Sequence, residues 1–569
     1  MDRARTRIAA VLAAAALLAA CSSPTGPADP AQSTSGAAPE PPSPTASGPT
    51  AQQRVAELLA PGPYVTRTTE YDLEPVRLLA SGRPVEVVAQ VVGPVDAEGP
   101  LPVVMLLHGY WPSCYEGKNA TTDWPCPSGY EPIPSYRGYT YLQERLASHG
   151  YVTVSVSANA VNVQFGDVGR DGGARARSAL LRHHLDLLAA GEVPALADWP
   201  GADLGRVLLL GHSRGGEGVD RAAFEQPADA AWDIAGVVLV GATAFDPPSE
   251  SRAAVVGMTG DCDGDVGPGL GQLYVDRKPA DPAVLRSSVL IRGANHNYFS
   301  TEWDPATSES GTGYDDIVSE GGTSDPLCEP DSPTRLTAAE QQEQLARGTT
   351  LVAAAVLTGD RAAADVLDAR EPLPVPDGQK VWVTGTGSGR TTLLPGPGFA
   401  TTAISPTTAR QCVGRSSETP RPRLCGSETV QGISVHWPDR GSTWAANDAV
   451  EVAWTAPGGD ARLALTQPWD ISSAYALELR VPIDAAGSPV SLDVAITDSA
   501  GQSAVLGSWG PVEALPGGTQ LPSRRWAQPL QLPLAGIEGV DLTSITSVTV
   551  TPTSPSGRVW LLDLSALPA

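Results

Sequence analysis

The stretch that decides the fold is Arg206-Val207-Leu208-Leu209-Leu210-Gly211-His212-Ser213-Arg214-Gly215-Gly216. Its apolar first half predicts a buried strand, and the residues that follow, up to about Phe224, predict a helix. Between them lies a G-x-S-x-G pattern, in which residues without a Cβ let the strand and the helix pass closely around a strained turn. The sequence therefore predicts a strand, a tight turn and a helix, with Ser213 at the turn.

Ser213 is a candidate nucleophile, because a serine in such a turn presents its hydroxyl at the edge of the sheet. The alternative is a glycine-rich turn whose serine has no chemical role, since the chain contains 59 glycines and the pattern is short. A nucleophilic serine would need a base to take its proton and an acid to orient that base.

Strand-like runs alternate with helical patterns from about residue 84 to residue 357. Leu101–Leu107 is continuously apolar, which is typical of a strand buried on both faces. Thr337 and Glu340 form a capping box, which predicts the start of a helix. We therefore expect residues 54–370 to form an α/β domain, with a mostly parallel sheet and helices on both faces.

Beyond residue 370 the pattern changes. A proline-rich stretch at residues 371–376 is typical of a linker, and short alternating runs such as Tyr475–Val481 and Val490–Thr497 follow between Gly, Pro and Asp turns. This spacing predicts an antiparallel β-sandwich within residues 371–569.

The charge balance excludes one class of partner. The chain of 569 residues carries 63 acidic and 38 basic side chains, for a net charge of −25. Nucleic-acid binding draws its affinity largely from basic surface, so we expect no nucleic-acid partner.

The N-terminus indicates export. Arginines 3, 5 and 7 precede a short apolar run, which ends in Leu18-Ala19-Ala20-Cys21. This resembles the lipobox of bacterial lipoproteins, and the resemblance implies a signal peptide over residues 1–21 and lipidation of Cys21. An ordinary secretory signal cut nearby is the alternative. Residues 22–53, rich in Ser, Pro and Thr, predict a disordered spacer, so we expect an extracellular protein anchored to the cell membrane by lipid.

Six cysteines remain after Cys21, and an even number in an exported chain indicates disulfides. Proximity in sequence favours Cys114–Cys126 and Cys412–Cys425, which leaves Cys262–Cys328. A zinc site is the alternative, but no CxxC pair supports it.

Candidates for the base and the acid follow Ser213 in the chain. His296 comes after the predicted strand Ser288–Arg292, and it is the only histidine between Ser213 and His436. The strand before it ends in several aspartates, and the possible acids are Asp261, Asp263 and Asp265, with Asp246 further upstream. The alternating aspartates also resemble a calcium loop, but the closing Glu is absent, so we expect no metal and no cofactor.

The order of these segments resembles the α/β-hydrolase family, and more closely its secreted actinobacterial members similar to dienelactone hydrolase and to lipase- and cutinase-type esterases. The resemblance covers about residues 60–360. It implies Asp263 as the acid, because that residue stands three positions after Gly260 and three before Val266. It also implies an oxyanion hole made by the backbone N–H groups of Tyr110 and Arg214.

Two loops without recognisable signatures, Pro112–Arg137 and Thr301–Arg335, are expected to shape the pocket. Trp111 and Trp124 either line an acyl pocket or pack within the first loop. The adjacent histidines of the helix at residues 171–190, His183 and His184, are predicted to lie on the surface.

Three C-terminal stretches, Tyr475–Arg480, Asp493–Gly501 and Gly557–Leu564, resemble jelly-roll carbohydrate-binding modules and galactose-binding-like domains. Seven tryptophans of the C-terminal region either stack on sugars or belong to the core: Trp437, Trp444, Trp454, Trp469, Trp509, Trp526 and Trp560. The expected function is a cell-surface serine hydrolase of carboxylic esters. A surface glycan- or cell-wall-binding protein without activity, and a peptidase or acyltransferase with the same triad, are the alternatives, and the substrate stays open.

Overall fold

The apolar stretch before Ser213 is the middle strand of a nine-stranded mixed sheet in the computed structural model. The structure describes residues 49–78, 82–163, 171–197, 199–266, 270–276, 281, 283–317, 326–393, 399–412, 425, 448–484, 488–515 and 526–569. Pro49–Ala569 form one compact unit. The predicted signal peptide, its lipobox and most of the predicted spacer lie outside the described residues.

The strands are β1 (Thr66–Val76), β2 (Val85–Pro94), β3 (Leu101–Leu107), β4 (Cys114–Glu116), β5 (Asn119–Thr121), β6 (Glu131–Pro132), β7 (Val152–Val156), β8 (Ala202–His212), β9 (Ile234–Val240), β10 (Ala254–Gly260), β11 (Arg286–Ile291), β12 (Val381–Gly385), β13 (Thr391–Thr392), β14 (Phe399–Ala403), β15 (Thr407–Cys412), β16 (Ala449–Trp454), β17 (Ala461–Trp469), β18 (Ala474–Pro482), β19 (Val490–Asp498), β20 (Ser503–Val512), β21 (Ala527–Pro533), β22 (Ile545–Pro552), β23 (Gly557–Leu561) and β24 (Asp563–Pro568). The α-helices are α1 (Ala51–Leu59), α2 (Thr140–Ser148), α3 (Asn159–Val163), α4 (Ala174–Ala190), α5 (Arg214–Phe224), α6 (Leu270–Asp276), α7 (Ala338–Ala353) and α8 (Arg361–Leu367).

The main sheet has the order β1-β2-β7-β3-β8-β9-β10-β11-β12. Neighbouring strands from β7 to β11 are parallel, whereas β1, β2 and β12 are antiparallel to their neighbours. Because β3, β8, β10 and β11 run in the same direction, the loops that follow them meet at one edge of the sheet. This edge carries the residues that the sequence singles out.

Helices cover both faces of this sheet. Along β3, Val103, Met105 and Leu107 pack into one core, whereas Val104 and Leu106 pack into another. The first core is closed by α4, α5 and α6, and the second by α1, α2, α7 and α8. A strand buried on both faces needs an uninterrupted apolar sequence, which explains the continuous run from Leu101 to Leu107. The predicted α/β class is confirmed at this level.

Local signals account for several element boundaries. The predicted capping box is present, since the Thr337 side chain accepts from the Glu340 N–H and the Glu340 side chain accepts from the Thr337 N–H at the start of α7. A second capping box, Thr50 with Gln53, starts α1 within the last residues of the predicted spacer. The last strand of the main sheet, β12, lies beyond the proline-rich stretch that was predicted to be the linker.

The C-terminal region consists of antiparallel sheets, as predicted. They have the orders β13-β24-β18-β21, β14-β17-β22-β19-β20 and β15-β16-β23, and their apolar faces share one core. In β19 buried and partly exposed residues alternate along the whole strand, which is the pattern of a strand with one face on a core. Trp454, Trp526 and Trp560 are buried there, whereas Trp437 and Trp444 lie outside the described residues.

The two regions are bonded directly to one another. Gln272 of α6 donates to the Ala527 carbonyl oxygen at 2.9 Å and accepts from the Ala527 N–H at 2.8 Å. Arg390 lies between Asp368 of the first region and Glu478 of β18, and all three side chains are at most 2% exposed. The antiparallel region is therefore packed onto the strand edge formed by β11 and β12, close to the segment that follows Asp263.

Three disulfides are present, which confirms the prediction of disulfide bonds. They join Cys114 to Cys126, Cys262 to Cys328 and Cys412 to Cys425. The first lies in the loop between β3 and α2, where β4, β5 and β6 form a small sheet. The second ties the residue before Asp263 to the segment that precedes α7.

The prediction that His184 lies on the surface is wrong. Its side chain is buried, and its Nδ1 lies 2.6 Å from the hydroxyl of Tyr71. Burial lowers the pKa of His184 to about 3, so the ring is neutral and serves as a core hydrogen-bond partner.

None of the helices in the described part of the chain combines the length and the hydropathy that a membrane-spanning helix requires.

Candidate active site

The turn between β8 and α5 has the strained geometry that the glycine pattern predicts. Ser213 has φ 57° and ψ −125°, a conformation that L-residues rarely adopt. A Cβ on Gly211 would lie 2.2 Å from the Gly215 carbonyl oxygen, and one on Gly215 would lie 2.3 Å from the Leu107 carbonyl oxygen. Both glycines are therefore required by close backbone approaches. Ser213 is held in place by its N–H, which donates to the Val240 carbonyl oxygen at 2.8 Å.

The loop after β3 passes directly beside Ser213. A Cβ on Gly109 would lie 2.5 Å from the Ser213 Cβ and 3.1 Å from its Oγ. His108 supports this loop, since its Nε2 accepts from the Ala158 N–H at 2.8 Å and its Nδ1 donates to the Gly109 carbonyl oxygen at 2.9 Å. Burial lowers the pKa of His108 to about 3, which keeps the ring neutral and able to accept that bond.

His296 and Asp263 are brought together at the edge of the sheet. The His296 Nδ1 lies 2.9 Å from the Asp263 Oδ2, and both side chains are 1% exposed. Asp263 is oriented by the N–H groups of Val266 and Asp265, which donate to its Oδ1 at 2.6 Å and 3.0 Å. Gly241 leaves room for the pair, because a Cβ there would lie 3.0 Å from the His296 Nδ1 and 3.1 Å from the Asp263 Oδ2.

The electrostatics of this pair make His296 a stronger base than a free imidazole. Burial by itself lowers the pKa of His296, but the charge of Asp263 and its hydrogen bond outweigh burial and raise the pKa above its ordinary value. The His296 ring packs against the His212 ring at a centroid distance of 4.8 Å. The base candidate therefore lies against the residue that precedes Ser213.

The other candidate acids have different partners. Asp261 is paired with Arg292 and accepts from the Gly293 N–H at 2.5 Å. Asp246 is paired with Arg221 at 2.9 Å. The Asp265 side chain is 63% exposed and lies 3.6 Å from the His296 Nε2, the nitrogen opposite the one that Asp263 contacts.

A calcium loop needs its carboxylates to converge on one point. Here Asp261 is paired with Arg292, whereas Asp263 and the exposed Asp265 approach opposite nitrogens of His296, so the three carboxylates do not converge on one point. Among the residues that the structure describes, no group of three His, Cys, Asp or Glu side chains is placed to hold a metal ion.

If His296 acts as the base, its Nε2 is the nitrogen that accepts the proton, because its Nδ1 contacts Asp263. Within the described ranges Nε2 is buried and has no hydrogen-bond partner. A buried polar nitrogen without a partner is unfavourable unless it serves another purpose. A proton acceptor for an incoming or neighbouring hydroxyl is such a purpose.

The two candidate oxyanion-hole residues follow residues of the turn region: Arg214 follows Ser213, and Tyr110 follows Gly109, which lies beside Ser213. Arg214 is the first residue of α5, where the backbone N–H groups carry the positive end of the helix dipole. Its guanidinium lies 4.3 Å from the centre of the Tyr110 ring and 5.3 Å from that of Phe245. The Arg214 side chain thus packs against the loop that follows β3 and against Phe245.

Aromatic side chains fill the space beside His296. Trp303 lies 4.6 Å from the His212 ring and 6.2 Å from the His296 ring, and Trp111 stacks on Trp303 at 4.8 Å. Trp111 is buried, so its role is packing between the loops after β3 and after His296. Tyr314 continues the stack at 5.2 Å from Trp111 and is 49% exposed.

Asp316 is a residue of this site that the sequence did not reveal. Its buried carboxylate accepts from the N–H groups of Gly264, His296 and Asn297, at 2.8, 3.0 and 3.0 Å. It therefore contacts the backbone of both loops that carry the His296–Asp263 pair. The segment around it has no motif, and only a nonlocal contact reveals its position.

Comparisons with known proteins assign the chain to no family. No protein-family model matches the chain, and no curated protein is significantly similar to it.

Proposed function

We propose that the protein is a serine hydrolase that cleaves carboxylic esters by way of an acyl-enzyme. The observation that carries this proposal is the buried 2.9 Å contact between His296 and Asp263, at the same sheet edge as the strained turn that bears Ser213. The chain order of serine, acid and histidine after successive strands supports an α/β-hydrolase assignment of the sheet.

In the proposed reaction the Ser213 Oγ attacks the ester carbonyl while the His296 Nε2 takes its proton. Asp263 keeps a proton on the His296 Nδ1, which leaves Nε2 as the acceptor, and its charge stabilises the imidazolium that forms. The N–H groups of Tyr110 and Arg214 stabilise the oxyanion of the tetrahedral intermediate. His296 then gives the proton to the leaving alcohol, and a water molecule, activated by the same nitrogen, hydrolyses the acyl-enzyme.

The test is hydrolysis of a short p-nitrophenyl ester, together with labelling by a fluorophosphonate probe. Ser213→Ala should abolish both, whereas Ser332→Ala, a serine whose hydroxyl lies in an exposed turn, should leave both unchanged. Undiminished turnover in Ser213→Ala would refute the assignment of the nucleophile. An intact protein that neither turns over esters nor takes up the probe would favour the alternative of a binding protein without activity.

The ester is preferred over a peptide or acyl-transfer substrate only by the resemblance, because all three reactions use the same triad. A panel of esters, peptides and acyl acceptors, assayed with the Ser213→Ala protein as the blank, separates them.

We also propose that the protein works at the cell surface. The three disulfides favour an oxidising compartment, and the lipobox-like sequence around Cys21 favours lipid attachment. Metabolic labelling with palmitate in a bacterial host should mark the protein and be lost in Cys21→Ser. Binding of glycan to the C-terminal region is a weaker proposal, since of the tryptophans predicted there Trp454, Trp526 and Trp560 are buried.

A further inference from the structure

Two loops carry the His296–Asp263 pair, and they leave different strands. Asp263 follows β10 and His296 follows β11, which are parallel neighbours. The loops also touch directly, because the Cys262 N–H donates to the Ala294 carbonyl oxygen at 2.9 Å. The relative position of the two loops decides the distance between Nδ1 and Oδ2, and a productive site tolerates errors of only about 0.5 Å.

The Asp316 carboxylate bonds to both loops at the backbone. Its Oδ2 accepts from the Gly264 N–H of the acid loop and from the His296 N–H, while its Oδ1 accepts from the Asn297 N–H. Because these are backbone groups beside the acid and at the histidine itself, the contacts set main-chain positions and not only side-chain rotamers. Bonds from N–H groups to an ionised carboxylate are also stronger than those to a neutral oxygen.

We infer that Asp316 is a positioning residue that fixes the His296 loop and the Asp263 loop relative to one another. This inference rests on the proposed serine hydrolase chemistry. Within the described ranges the Asp316 carboxylate bonds to backbone N–H groups, and it makes no hydrogen bond to the Ser213 hydroxyl or to the His296 ring. It acts through the main chain of the two loops and through its charge.

The segment that carries Asp316 is itself held firmly. The Tyr314 N–H donates to the Trp303 carbonyl oxygen at 3.0 Å, and the Tyr314 carbonyl oxygen accepts from the Asn297 side chain at 2.9 Å. Next to Asp316, Asp315 is paired with Arg335 at 3.0 Å. Asp316 therefore reaches its three N–H donors from a fixed support, which is what preorganisation requires.

The charge of Asp316 adds a second influence on His296. Two titratable side chains face Asp316: Asp263, from the loop after β10, and His296, from the loop after β11. On the segment of Asp316 itself, the neighbouring titratable residues are Tyr314 and Asp315. Burial and the charge of Asp263 raise the pKa of Asp316 to about 6, while the imidazolium of His296 opposes that shift. Asp316 is therefore ionised at neutral pH, and its negative charge contributes to the raised pKa of His296.

The decisive variant is Asp316→Asn. It removes the charge and replaces one acceptor oxygen by an NH₂ group that faces an N–H donor. The control is Asp304→Asn. Asp304 is a buried aspartate of the same loop, and among the described residues its carboxylate accepts from local groups alone, the Ala306 N–H and the Thr307 hydroxyl. We expect kcat/KM of Asp316→Asn to fall about 10²-fold, as for a small misplacement of a catalytic group. The acid limb of its pH profile should move to lower pH, whereas Asp304→Asn should show neither change.

A second readout does not depend on activity. With only seven histidines in the chain, the imidazole ¹⁵N signals can be titrated by NMR, and the His296 signal is identified by its loss in His296→Gln. The pKa of His296 should be lower in Asp316→Asn than in the wild type. An unchanged pKa together with an unchanged kcat/KM in folded Asp316→Asn would overturn the inference, and so would an equal fall of kcat/KM in Asp304→Asn.

Two further outcomes are decided in the same experiment. If Asp316→Asn does not fold, Asp316→Glu is the second variant, because it keeps the charge but displaces the carboxylate oxygens by one methylene. In Asp316→Glu kcat/KM should fall while the pKa of His296 stays raised. An unchanged kcat/KM would refute the positioning role. If the wild type hydrolyses no ester and takes up no fluorophosphonate, the proposed function fails, while the His296 titration still decides whether Asp316 acts on His296.

Discussion

Replacing Arg390 by Met should destabilise the whole 49–569 unit, because Arg390 is paired with two buried carboxylates where the two regions of that unit meet. Its Nε donates to Glu478 Oε1 at 2.9 Å, its Nη2 donates to the Asp368 carbonyl oxygen at 3.0 Å, and its Nη1 is paired with the Asp368 carboxylate. Met keeps most of the apolar stem, so the change removes the charge and the bonds with little loss of volume.

The size of the effect follows from what each carboxylate keeps. Removing one partner of a buried ion pair costs about 3–5 kcal/mol, because the remaining charge stays buried and uncompensated. Here Asp368 keeps a contact with Arg370 at 2.7 Å, and Glu478 keeps a bond from the Gln531 side chain at 2.8 Å. We therefore expect a loss near the lower end, about 3 kcal/mol.

The assay is thermal and urea unfolding of the purified chain. For a unit of about 520 residues, an unfolding entropy of about 1.1 kcal/mol per kelvin makes 3 kcal/mol equal to a fall in Tm of about 3 °C. The matched control is Arg361→Met, which removes an exposed i,i+4 pair with Asp365, whose partners are 69% and 25% exposed. That pair should contribute at most about 0.5 kcal/mol.

The effect of Arg390→Met should also depend on pH. Without the arginine, the pKa of Asp368 in the folded state rises further above its unfolded value, since burial already raises it. Protonation of Asp368 then relieves the buried charge, so the loss of stability should be smaller at pH 5 than at pH 8. A Tm within 1 °C of the wild type at pH 8, or a loss equal to that of Arg361→Met, would refute a structural junction through Arg390.

Two further predictions concern the candidate site. Asp263→Asn removes the charge that contributes most to raising the pKa of His296. The acid limb of the pH profile of kcat/KM, which lies above pH 6.5 in the wild type, should therefore move to lower pH, and the rate should fall by about 10³–10⁴. The control Asp261→Asn breaks a pair with Arg292 instead and should leave the acid limb in place. Gly241→Ala should lower kcat/KM about 10²-fold, because its Cβ would press on the His296–Asp263 pair. Gly311→Ala has a similar positive φ but open space around it, so it should change stability alone, and equal activities of the two glycine variants would contradict this account.

The junction between the two regions bears on the role of the C-terminal part. Gln272 of α6 and Thr384 of β12 both bond to the backbone of Ala527, and α6 lies a few residues beyond Asp263. The antiparallel region is therefore a structural support for the edge of the main sheet, whatever else it binds. A flexibly tethered module would have left this edge exposed to solvent.

Local sequence was sufficient for the features that depend on neighbours along the chain. Gly211 predicted the turn because a Cβ there would meet the backbone of Gly215, four residues along the chain. Thr337 predicted the start of α7 because a capping box involves residues three apart. The alternation of apolar runs and helical patterns predicted the α/β class, since periodicity reports which faces an element buries.

Other features were beyond the reach of local pattern. The choice of Asp263 over its neighbours came from a family resemblance. The three-dimensional contacts alone show that Asp261 is paired with an arginine and that the exposed Asp265 lies 3.6 Å from the other nitrogen of His296. His184 was misassigned because the helix pattern did not reveal that Tyr71 of a distant strand covers it.

By itself, then, the sequence determined the turn at Ser213, the strand and helix classes and the pairing of the cysteines that lie near one another. Only the tertiary structure decided which carboxylate meets His296, that Asp316 joins the two loops, and that Arg390 joins the two regions. The physical reason is range. Turns, caps and amphipathic periods are set by residues within a few positions, whereas hydrogen bonds and ion pairs between segments depend on where the whole chain places their backbones.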